Sequence, residues 1–553
     1  MTGPQPPQLE SDSFDAIIIG AGINGAGIAR DAALRGLRVL LLDKGDIGGG
    51  TTSWSTRLIH GGLRYLEHGE IGLVRESLRE RELLLRNAPH LVRPLPMLIP
   101  IYQGRGRGHW TIRAGMLAYD LLSYDKSVAR HRMLSHAEAL LRAPGLNPAG
   151  LHSAALYHDA QVEYAERLVL ENVLDARANG ARVLTYARVE KLIVEEGRVR
   201  GVEFRDASGQ ESYALSSVVL NVAGPWVDQL LRDGFKGSLP RLVGGTKGSH
   251  LIVSPFEGAP AYALYAEALE DRRPFFIVPW NSLYLIGTTD VRYEGDLDHI
   301  SADEDEIGYL LRETNRLIPS ARLTRADILY TYSGVRPLPF EHERDESGIT
   351  RQHFIRDHGP ELEGLLSVIG GKLTTYRNLS EQAVDLIFKK LNRRAPSCLT
   401  ARRPLPGATM DDATTLSPDF KMKSGLPPPT AERLLRVYGA RASEVLEIAG
   451  RADDLRESFS PLTCAIGAEI VMSFERELAQ TLSDCLLRRT LVGLNAANGL
   501  DAVEAAASVA VRHLGWTSER AAQEVSAYRD YIKRFRPRGV ALESESEKTG
   551  SRA

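Results

Sequence analysis

The chain has 553 residues, of which 43% are apolar and 25% are charged, and its formal net charge is −3. A chain of this length predicts about three or four structural units and can bury a large hydrophobic core. Its size excludes a small scaffold that depends on disulfides or metal ions for stability. Its nearly balanced charge disfavours a dedicated nucleic-acid-binding protein, which needs a large basic surplus.

The cysteines and the termini point to a reducing compartment. Cys398, Cys464 and Cys485 lie far apart and form no CxxC pattern, so we expect neither a disulfide framework nor a metal site. The N-terminal sequence MTGPQPPQLESDS is polar and proline-rich, unlike a signal peptide. No apolar run approaches about 18 residues, so no transmembrane helix is expected, although contact with a membrane surface stays open.

The first ordered segment predicts a strand–helix–strand unit. The apolar run AIIIG, just after Phe14, has the length of a buried parallel strand. A helical stretch from Gly25 to Arg35 follows, and the second apolar strand, RVLLLD, ends at Asp43. This order of elements is typical of a dinucleotide-binding domain.

The turn of this unit carries a GxGxxG pattern formed by Gly20, Gly22 and Gly25. Gly20 allows the tight turn, Gly22 lets the backbone approach a pyrophosphate, and Gly25 lets the helix and strand pack closely. The helix N-terminus offers unpaired N–H groups to the phosphates. Asp43 is placed to accept hydrogen bonds from a ribose, which favours FAD or NAD over NADP. The alternative is a glycine-rich turn without a ligand.

Three later segments favour FAD over NAD. They are GGTTSWSTRLIHGG at 49–62, the run Val222 to Pro225, and the run Gly370 to Thr375. Each is rich in small residues that permit close approach to a ligand, and together they suit a long, extended cofactor better than NAD. Taken singly, each could be an ordinary turn. Beyond the glycines and Asp43, the expected FAD contacts are Ile23, Asn24, Lys44, Thr51, Thr52, Ser53, Leu58, Val189, Ala223, Gly224, Gly371, Lys372, Leu373 and Thr374.

The remaining pattern predicts two further kinds of structure. From Arg182 the apolar residues alternate with period two, which predicts an antiparallel meander, and several β-rich runs follow. A proline-rich break near 392–428 precedes helical spacing. We expect disordered tails at 1–13 and 538–553, a discontinuous cofactor and substrate unit at 14–392, a linker at 393–407, and a helical domain at 408–537.

A set of motifs resembles FAD-dependent glycerol-3-phosphate dehydrogenase. These motifs are GAGINGAGIARDAALRG, STRLIHGGLRYLEHGE, AGPWV, TKGSHLIV, VPWNSLYLIGTTD, TYSGVRPL and GGKLTTYR. The resemblance runs from about residue 14 to residue 380 and continues weakly into the helical domain at DCLLRRTLVGL. Two departures, Ala21 and Ser380, remove no chemical group, whereas AQVEYAERLV after Asp159 differs more and receives no assignment.

The resemblance implies an α/β fold in which an FAD-binding Rossmann-like domain is interleaved with an antiparallel-β substrate domain, followed by an all-α C-terminal domain. It also implies oxidation of sn-glycerol 3-phosphate to dihydroxyacetone phosphate by hydride transfer to flavin N5. The electrons would pass to a membrane quinone, which places the chain in the cytoplasm, peripherally at the cytoplasmic face of the inner membrane. A homodimer is a further possibility that the sequence leaves open.

The substrate of this reaction is a phosphate dianion whose hydroxyl must lose a proton, so the site needs fixed cations and a base. Arginine binds phosphate in a bidentate manner, which makes Arg57, Arg336 and Arg351 candidates. Lys372 is a fourth candidate, or it stabilises negative charge on the reduced flavin. Arg336 follows a glycine and precedes a proline at a strand end, where a catalytic loop would present it.

Histidine suits the role of base because its ordinary pKa lies close to neutral pH. His60 lies in the segment expected to face the flavin and is the first candidate. His250, which precedes a β-rich run, is the second. For both, the alternative is an ordinary core or surface histidine.

A basic and aromatic segment at 104–124 indicates contact with a membrane surface. The sequence GRGRGHWTIR is followed by AGMLAYDLLSY, so arginines and Trp110 adjoin an apolar stretch. A basic loop followed by a core helix would give the same pattern.

Several alternative functions remain. A glycerol-3-phosphate oxidase would use the same flavin site and release hydrogen peroxide, and sequence separates electron acceptors poorly. An anaerobic-type catalytic subunit is disfavoured, because Cys464 and Cys485 alone cannot form its cysteine-rich region. An amine or amino-acid oxidase should lack the phosphate-binding arginines. A non-catalytic flavoprotein or a nucleic-acid-modifying module is the most distant alternative.

Overall fold

The computed structural model describes residues 13–67, 69–104, 106–234, 239–341, 351–408 and 420–537. The two predicted tails, apart from Ser13, and the first part of the predicted helical domain therefore lie outside the described residues. The described strands are β1 Ala16–Ile19, β2 Val39–Leu42, β3 Leu58–Ile59, β4 Val92–Tyr102, β5 Arg132–Ser135, β6 Leu151–Val162, β7 Arg182–Leu184, β8 Arg188–Glu195, β9 Arg198–Arg205, β10 Glu211–Leu215, β11 Val219–Asn221, β12 Thr246–Val253, β13 Ala263–Glu267, β14 Pro274–Trp280, β15 Leu283–Gly287, β16 Val291–Arg292, β17 Ile328–Arg336, β18 Phe354–Asp357, β19 Leu365–Ile369, β20 Ser458–Ser460 and β21 Ala465–Ile466.

The helices occur in two groups along the chain. The first group is α1 Ile23–Leu34, α2 Ile71–Asn87, α3 His109–Leu122, α4 His136–Arg142, α5 Ala165–Ala178, α6 Val227–Gly234, α7 Glu304–Leu317 and α8 Tyr376–Lys390. The second group is α9 Pro428–Tyr438, α10 Ala442–Ala449, α11 Gly467–Glu475, α12 Leu482–Asp484, α13 Val503–Leu514 and α14 Ser518–Ile532. A π-helical turn, Cys485–Arg489, continues α12.

A six-stranded sheet carries the dinucleotide turn. Its strand order is β18-β19-β11-β1-β2-β7, and all neighbours are parallel except β18, which is antiparallel to β19. Strands β1 and β2 are buried along their whole length, as expected of apolar strands covered on both faces. Helix α1 packs between α5 and α8 over this sheet. The turn between β1 and α1 follows the carboxyl end of β1, and this is the edge at which α/β sheets bind ligands.

The predicted meander is correct except for its beginning. Strands β8, β9 and β10 form an antiparallel three-stranded sheet. Residues Arg182–Leu184, however, form β7 and pair in parallel with β2 at the edge of the six-stranded sheet. Three residues are too few for alternation to distinguish an edge strand of one sheet from the first strand of the next.

A mixed ten-stranded sheet forms the other half of the first unit. Its main path is β16-β12-β15-β14-β13-β4-β6-β3, with β17 paired to β12 and β5 paired to β6. Strand β12 is buried along its whole length and pairs on one side with β15 and on the other with β17. Residues near the ends of β3, β12, β15 and β17 therefore come together opposite the dinucleotide turn.

The helical domain packs against the dinucleotide unit through buried ion pairs. Asp46, just after β2, accepts hydrogen bonds from Arg488 and Arg489 of the π-helical turn. Arg167 of α5 forms a bidentate pair with Glu477 at 2.6 and 2.8 Å. These pairs fix the helical domain against the rim of the dinucleotide unit.

Candidate active site

A cavity of about 710 Å³ extends between the two sheets and reaches the helical domain. Most of the sequence-predicted site residues line it. These are Gly20, Gly22, Ile23, Asn24, Asp43, Lys44, Thr51, Thr52, Arg57, Leu58, His60, Val189, Ala223, Gly224, His250, Arg336, Arg351, Gly371, Lys372, Leu373 and Thr374. Gly25 and Ser53 are not part of the lining.

Gly25 and Ser53 support the cavity from behind. A Cβ atom at Gly25 would lie 1.8 Å from the Gly20 carbonyl oxygen, so this glycine allows the helix to pack on the strand. The Ser53 hydroxyl is buried and donates a hydrogen bond to the Gly48 carbonyl at 2.7 Å. Neither residue presents a polar atom to a ligand, so we interpret both as supports of the surrounding turns.

The dinucleotide end of the cavity has the features that a bound FAD requires. Gly20 adopts φ +110°, and a Cβ there would lie 2.5 Å from the Val222 carbonyl oxygen, so only glycine fits. A Cβ at Gly22 would meet only the Thr52 hydroxyl, at 3.6 Å, so a cofactor can approach the backbone closely. Helix α1 begins there without an acidic residue in its first turn, which leaves its positive end available to a pyrophosphate.

Asp43 ends β2 at the position expected of a ribose-binding residue. Its carboxylate accepts hydrogen bonds from the Ala21 N–H at 2.6 Å and from the Gly45 N–H at 2.8 Å. Burial raises the pKa of Asp43. The two backbone donors orient the carboxylate and leave further lone pairs for ribose hydroxyls.

The helical domain also contributes to the cavity, which the sequence did not indicate. Tyr531, Arg534 and Phe535 line it. The Phe535 ring lies 5.0 Å from the Trp54 ring, and the Arg534 guanidinium donates to the Asp298 carbonyl at 3.2 Å. Residues 531–535 at the end of the helical domain therefore complete the cavity lining.

The opposite end of the cavity carries an arginine pair that shares one carboxylate. Arg336 Nη1 donates to Asp290 Oδ1 at 2.9 Å, and Arg351 Nη2 donates to Asp290 Oδ2 at 2.8 Å. Arg351 Nη1 is buried and has no hydrogen-bond partner within the described part of the chain. Burial lowers the pKa of Arg336, and the nearby charge of Arg351 acts in the same direction. Two guanidinium groups facing one carboxylate leave a net positive charge.

Lys372 adds a third cationic group to this end. Its Nζ atom lies 3.7 Å from the centre of the Tyr65 ring and donates to the Ser77 hydroxyl at 3.3 Å. Burial lowers the pKa of Lys372 to about 7, Arg351 lowers it further, and Glu70 and Glu76 act in the opposite direction. The Lys372 ammonium group therefore loses its proton near neutral pH instead of near pH 10.

The two candidate histidines differ in their access to the cavity. His60 is partly exposed, and its ring meets that of Phe276 edge-on at 6.4 Å. Burial lowers the pKa of His60 to about 4, so its imidazole is neutral at pH 7 and has an unprotonated ring nitrogen, while burial disfavours the charged form. His250 is 1% exposed, and its Nε2 atom lies 2.9 Å from the Thr56 hydroxyl. Burial lowers the pKa of His250 well below its usual value.

Arg57 lines the cavity, but its charge is neutralised from behind. Its guanidinium donates to both carboxylate oxygens of Glu166, at 2.8 and 2.7 Å, and stacks on the Trp280 ring at 4.5 Å. The side chain is completely buried. These contacts favour a structural role over the expected role in substrate binding. Glu166 lies in AQVEYAERLV, the segment that received no assignment from the sequence.

Sequence reasoning also missed two residues of the cationic end. Asp290 ends the run LYLIGTTD, and Tyr65 belongs to GGLRYLE. Both runs were part of the recognised set of motifs, so the signal was present. Their roles depend on pairing with Arg336, Arg351 and Lys372, which are distant in sequence.

A parallel sheet with a glycine-rich turn, a long cavity and a cationic far end together define a flavin-dependent oxidoreductase. The family model described as FAD dependent oxidoreductase matches residues 15–377. The model described as the C-terminal domain of alpha-glycerophosphate oxidase matches residues 398–521.

Two proteins and one solved structure are similar to this chain over most of its length. Glycerol-3-phosphate dehydrogenase from Synechocystis sp. is 45% identical over 95% of this chain and 98% of its own length. Aerobic glycerol-3-phosphate dehydrogenase from Staphylococcus haemolyticus is 33% identical over 87% of both chains. The glycerol-3-phosphate dehydrogenase structure from Bacillus halodurans, complexed with FAD, has 28% identity and a TM-score of 0.77 over 97% of both chains. The chain belongs to the FAD-dependent glycerol-3-phosphate dehydrogenase family, and its cofactor is FAD.

The α/β fold with an all-α C-terminal domain is thereby confirmed. Within the described ranges, no helix is both long enough and apolar enough to cross a membrane.

Proposed function

We propose that the chain oxidises sn-glycerol 3-phosphate to dihydroxyacetone phosphate and passes the electrons to a membrane quinone. The observation that carries the substrate assignment is the shared Asp290 carboxylate, which leaves Arg336 and Arg351 incompletely neutralised. A phosphate dianion supplies the missing negative charge and an acceptor for the buried Arg351 Nη1 atom. Lys372 adds a compact ammonium group to the same end of the cavity.

The chemistry divides between the cofactor and the chain. The turn with Gly20 and Gly22 and the carboxylate of Asp43 would hold FAD, which would supply the acceptor for a hydride from the secondary carbinol carbon of the substrate. The arginine pair holds the phosphate and thereby orients the carbinol group within the cavity. Lys372 either joins this binding or stabilises negative charge near the cofactor.

We assign the role of general base to His60, with His250 as the second candidate. His60 is neutral at pH 7 and partly exposed to the cavity, so it can accept the hydroxyl proton. His250 is nearly inaccessible and already contacts the Thr56 hydroxyl. His60→Gln should lower the rate of flavin reduction by about 10²–10⁴-fold while FAD stays bound. A nearly unchanged rate in stopped-flow measurements would contradict the assignment.

The central test is anaerobic addition of glycerol 3-phosphate to the purified yellow protein. Bleaching of the flavin absorbance is the expected result. Glycerol without the phosphate should bleach the flavin poorly, because the arginine pair then has no anion to bind. Absence of bleaching by glycerol 3-phosphate would refute the proposed function.

An exposed apolar stripe supports electron transfer to a membrane acceptor. On α3, Trp110 is 74% exposed, Leu117 57% and Leu121 74%, and these side chains follow one another at helical spacing. Such a stripe can lie in the interfacial region of a membrane, here the cytoplasmic face of the inner membrane.

The basic residues beside this stripe are not equally available to lipid headgroups. Arg113 lies against the Trp110 ring, at 5.4 Å, and is exposed. Arg107 instead pairs with the carboxylates of Glu67 and Glu267. Arg105, which the sequence also suggested, lies outside the described residues. The proposed membrane contact therefore rests more on the exposed apolar side chains of α3 than on the neighbouring arginines.

Flotation with anionic liposomes tests the membrane contact. The double variant Leu117→Gln, Leu121→Gln should float less than wild type and keep its activity with a soluble dye. Leu462→Gln, which changes a 58% exposed leucine in the helical domain, is the matched control and should float normally. Equal flotation of all three proteins would refute contact through α3.

The electron acceptor needs a separate measurement, because one matching family model carries the name of an oxidase. Quinone reduction and hydrogen peroxide release should be followed during turnover under air. We expect quinone reduction to exceed peroxide release. The reverse result would favour an oxidase.

A further inference from the structure

A buried network connects helix α3 to the segment that carries His60. The Tyr119 hydroxyl donates to Asp159, whose two carboxylate oxygens each lie 2.8 Å away. Arg81 of α2 donates to Asp159 Oδ1 at 2.7 Å. The side chains of Arg81 and Asp159 are at most 1% exposed, and Tyr119 is 2% exposed. None of the three side chains lines the cavity, and none of the roles described above involves this network.

The same tyrosine holds the backbone beside His60. The Gly61 N–H donates to the Tyr119 hydroxyl at 2.9 Å. A Cβ at Gly61 would lie only 2.5 Å from that hydroxyl, so the backbone and the tyrosine are in close contact. On the other side, the His60 N–H donates to the Thr374 hydroxyl at 3.2 Å. His60 is therefore fixed between Thr374 and Tyr119.

We propose that Tyr119 and Asp159 are positioning residues for His60: Asp159 holds the Tyr119 hydroxyl, and that hydroxyl fixes the backbone at Gly61, next to His60. This inference rests on the proposed function. The substrate O–H bond breaks and its proton forms an N–H bond to the His60 ring. The C–H bond of the carbon that bears this hydroxyl also breaks, and its hydrogen passes with both electrons to the flavin. The electron pair of the broken O–H bond forms the C=O bond of the ketone. The substrate is oxidised, the flavin is reduced, and a new cation remains at His60.

The charges around His60 also suit its role as the base. Arg81 also pairs with Glu82 at 2.9 Å, so one guanidinium faces two carboxylates and the network retains negative charge. Asp159 acts to raise the pKa of His60 against the effect of burial, whereas Lys372 acts to lower it. A buried cation without a nearby negative charge would be costly, and a fixed carboxylate reduces that cost.

Tyr119→Phe is the first test, because it removes one hydroxyl and keeps the ring. We expect the flavin reduction rate to fall by about 10- to 100-fold, part of the 10²–10⁴-fold contributed by a general base. The solvent deuterium isotope effect on this rate should rise, because proton transfer becomes more limiting. The KM for glycerol 3-phosphate should change less than about twofold, because the arginine pair is untouched.

Tyr330→Phe is the matched control. Its hydroxyl is also buried and donates to a backbone carbonyl, that of Leu494, at 2.9 Å, but it lies outside the cavity lining. We expect a comparable loss of stability with an unchanged reduction rate. If Tyr119→Phe reduces the flavin at the wild-type rate, or if both variants slow it equally, the inference is refuted.

Hydrogen exchange gives a readout that does not depend on activity. In Tyr119→Phe holoenzyme, the Gly61 N–H loses its acceptor, so peptides covering residues 58–66 should exchange faster than in wild type. Tyr330→Phe should leave them unchanged. Equal exchange in all three proteins would refute the positioning role.

Asp159→Asn tests the hold on Tyr119. It should slow flavin reduction, with FAD still bound, because the Tyr119 hydroxyl and Arg81 lose their carboxylate partner. A wild-type rate would refute the role of Asp159. If wild-type enzyme fails to bleach with glycerol 3-phosphate, the proposed function fails instead. The hydrogen-exchange comparison still decides the contact between Tyr119 and Gly61 in that case.

Discussion

Two groups of arginines differ in how completely carboxylates match their charge. At the contact with the helical domain, Arg167 and Arg441 share Glu477, and both lie within hydrogen-bond distance of it. Adjacent carboxylates complete this group, because Arg441 also binds Glu444 at 2.9 Å. At the far end of the cavity, Arg336 and Arg351 share Asp290, and Arg351 Nη1 has no partner among the described residues.

This difference distinguishes arginines that stabilise the fold from arginines that are available to bind a ligand. Arginines whose charge is matched by carboxylates attract a further anion weakly, and removing a partner carboxylate is costly. Two arginines that share one carboxylate keep a net positive charge, which an anionic ligand neutralises when it binds. Arg57 belongs to the first group, because both carboxylate oxygens of Glu166 pair with it. The Nε atoms of Arg57 and Arg167 also have no partner among the described residues, so the charge balance, and not a single unpaired donor, separates the two groups.

The largest effect is expected at the domain contact. Glu477→Gln removes the carboxylate that serves Arg167 and Arg441, whose nearby charges lower the pKa of Glu477 to about 2. Loss of one partner from a buried ion pair costs about 3–5 kcal/mol, and urea unfolding of the holoenzyme should show a loss of this size. The fraction that remains folded should keep the wild-type KM for glycerol 3-phosphate.

Glu475→Gln is the control for this prediction, because Glu475 lies close by on α11 but is exposed and pairs with Arg451. We expect its urea midpoint to match wild type. Equal midpoints for Glu475→Gln and Glu477→Gln would show that the buried pairs do not stabilise the domain contact.

The next effect is expected at the substrate end. Arg351→Ala should lower kcat/KM for glycerol 3-phosphate by about 30- to 1,000-fold, corresponding to about 2–4 kcal/mol for a desolvated charge-assisted contact. The urea midpoint should change little, because Arg336 still pairs with Asp290 in this variant. Arg356→Ala, which alters an exposed arginine of β18, should retain wild-type kinetics. Normal kinetics of Arg351→Ala would remove Arg351 from the site.

The sequence was informative where chemistry depends on residues close together in the chain. The turn with Gly20 and Gly22 and the strand ending at Asp43 form a local unit, so their relationship is encoded within about 25 positions. Arg57 lies within a recognised motif and Arg351 lies in ITRQHF, outside that set, but nothing local shows which of the two binds the substrate. Glu166 lies 109 positions from Arg57, so only the fold shows that Arg57 is already paired.

The same limitation explains two other differences between the expectations from the sequence and the structure. Phe535 contacts the cavity only because the helical domain folds back onto β17, where its carbonyl accepts a hydrogen bond from Thr331, 204 positions earlier. Residues Arg182–Leu184 were expected to begin the meander because their pattern suits either sheet. Their parallel pairing with β2 depends on the crossover through α5. The alternation of apolar and polar residues does not indicate this crossover.

A smaller effect is expected when Arg57 is changed conservatively. Arg57→Lys keeps the charge beside Glu166 but loses the bidentate pair and the stacking on Trp280. We expect a loss of about 1–3 kcal/mol in urea unfolding and a KM within about threefold of wild type. A large rise in KM with unchanged stability would instead support the substrate-binding role that the sequence suggested.

The smallest effect is a pH dependence that only Lys372 should produce. Burial lowers its pKa from the ordinary 10.5 to about 7, so the ammonium group is charged below pH 7 and neutral above it. Phosphate binding favours the charged form, so kcat/KM should fall by about tenfold between pH 6 and pH 8.5, equivalent to about 1.4 kcal/mol. Between pH 7 and 10.5 the unfolded chain holds more protons at this position than the folded one, so the Lys372 contribution to stability rises with pH.

Lys372→Arg isolates this effect, because an arginine side chain stays protonated throughout this range. Its kcat/KM should lack the decline above pH 7, whatever its value at pH 6. Persistence of the same decline in Lys372→Arg would assign the titration to another group. In that case, the substrate end would bind phosphate through its arginine pair alone.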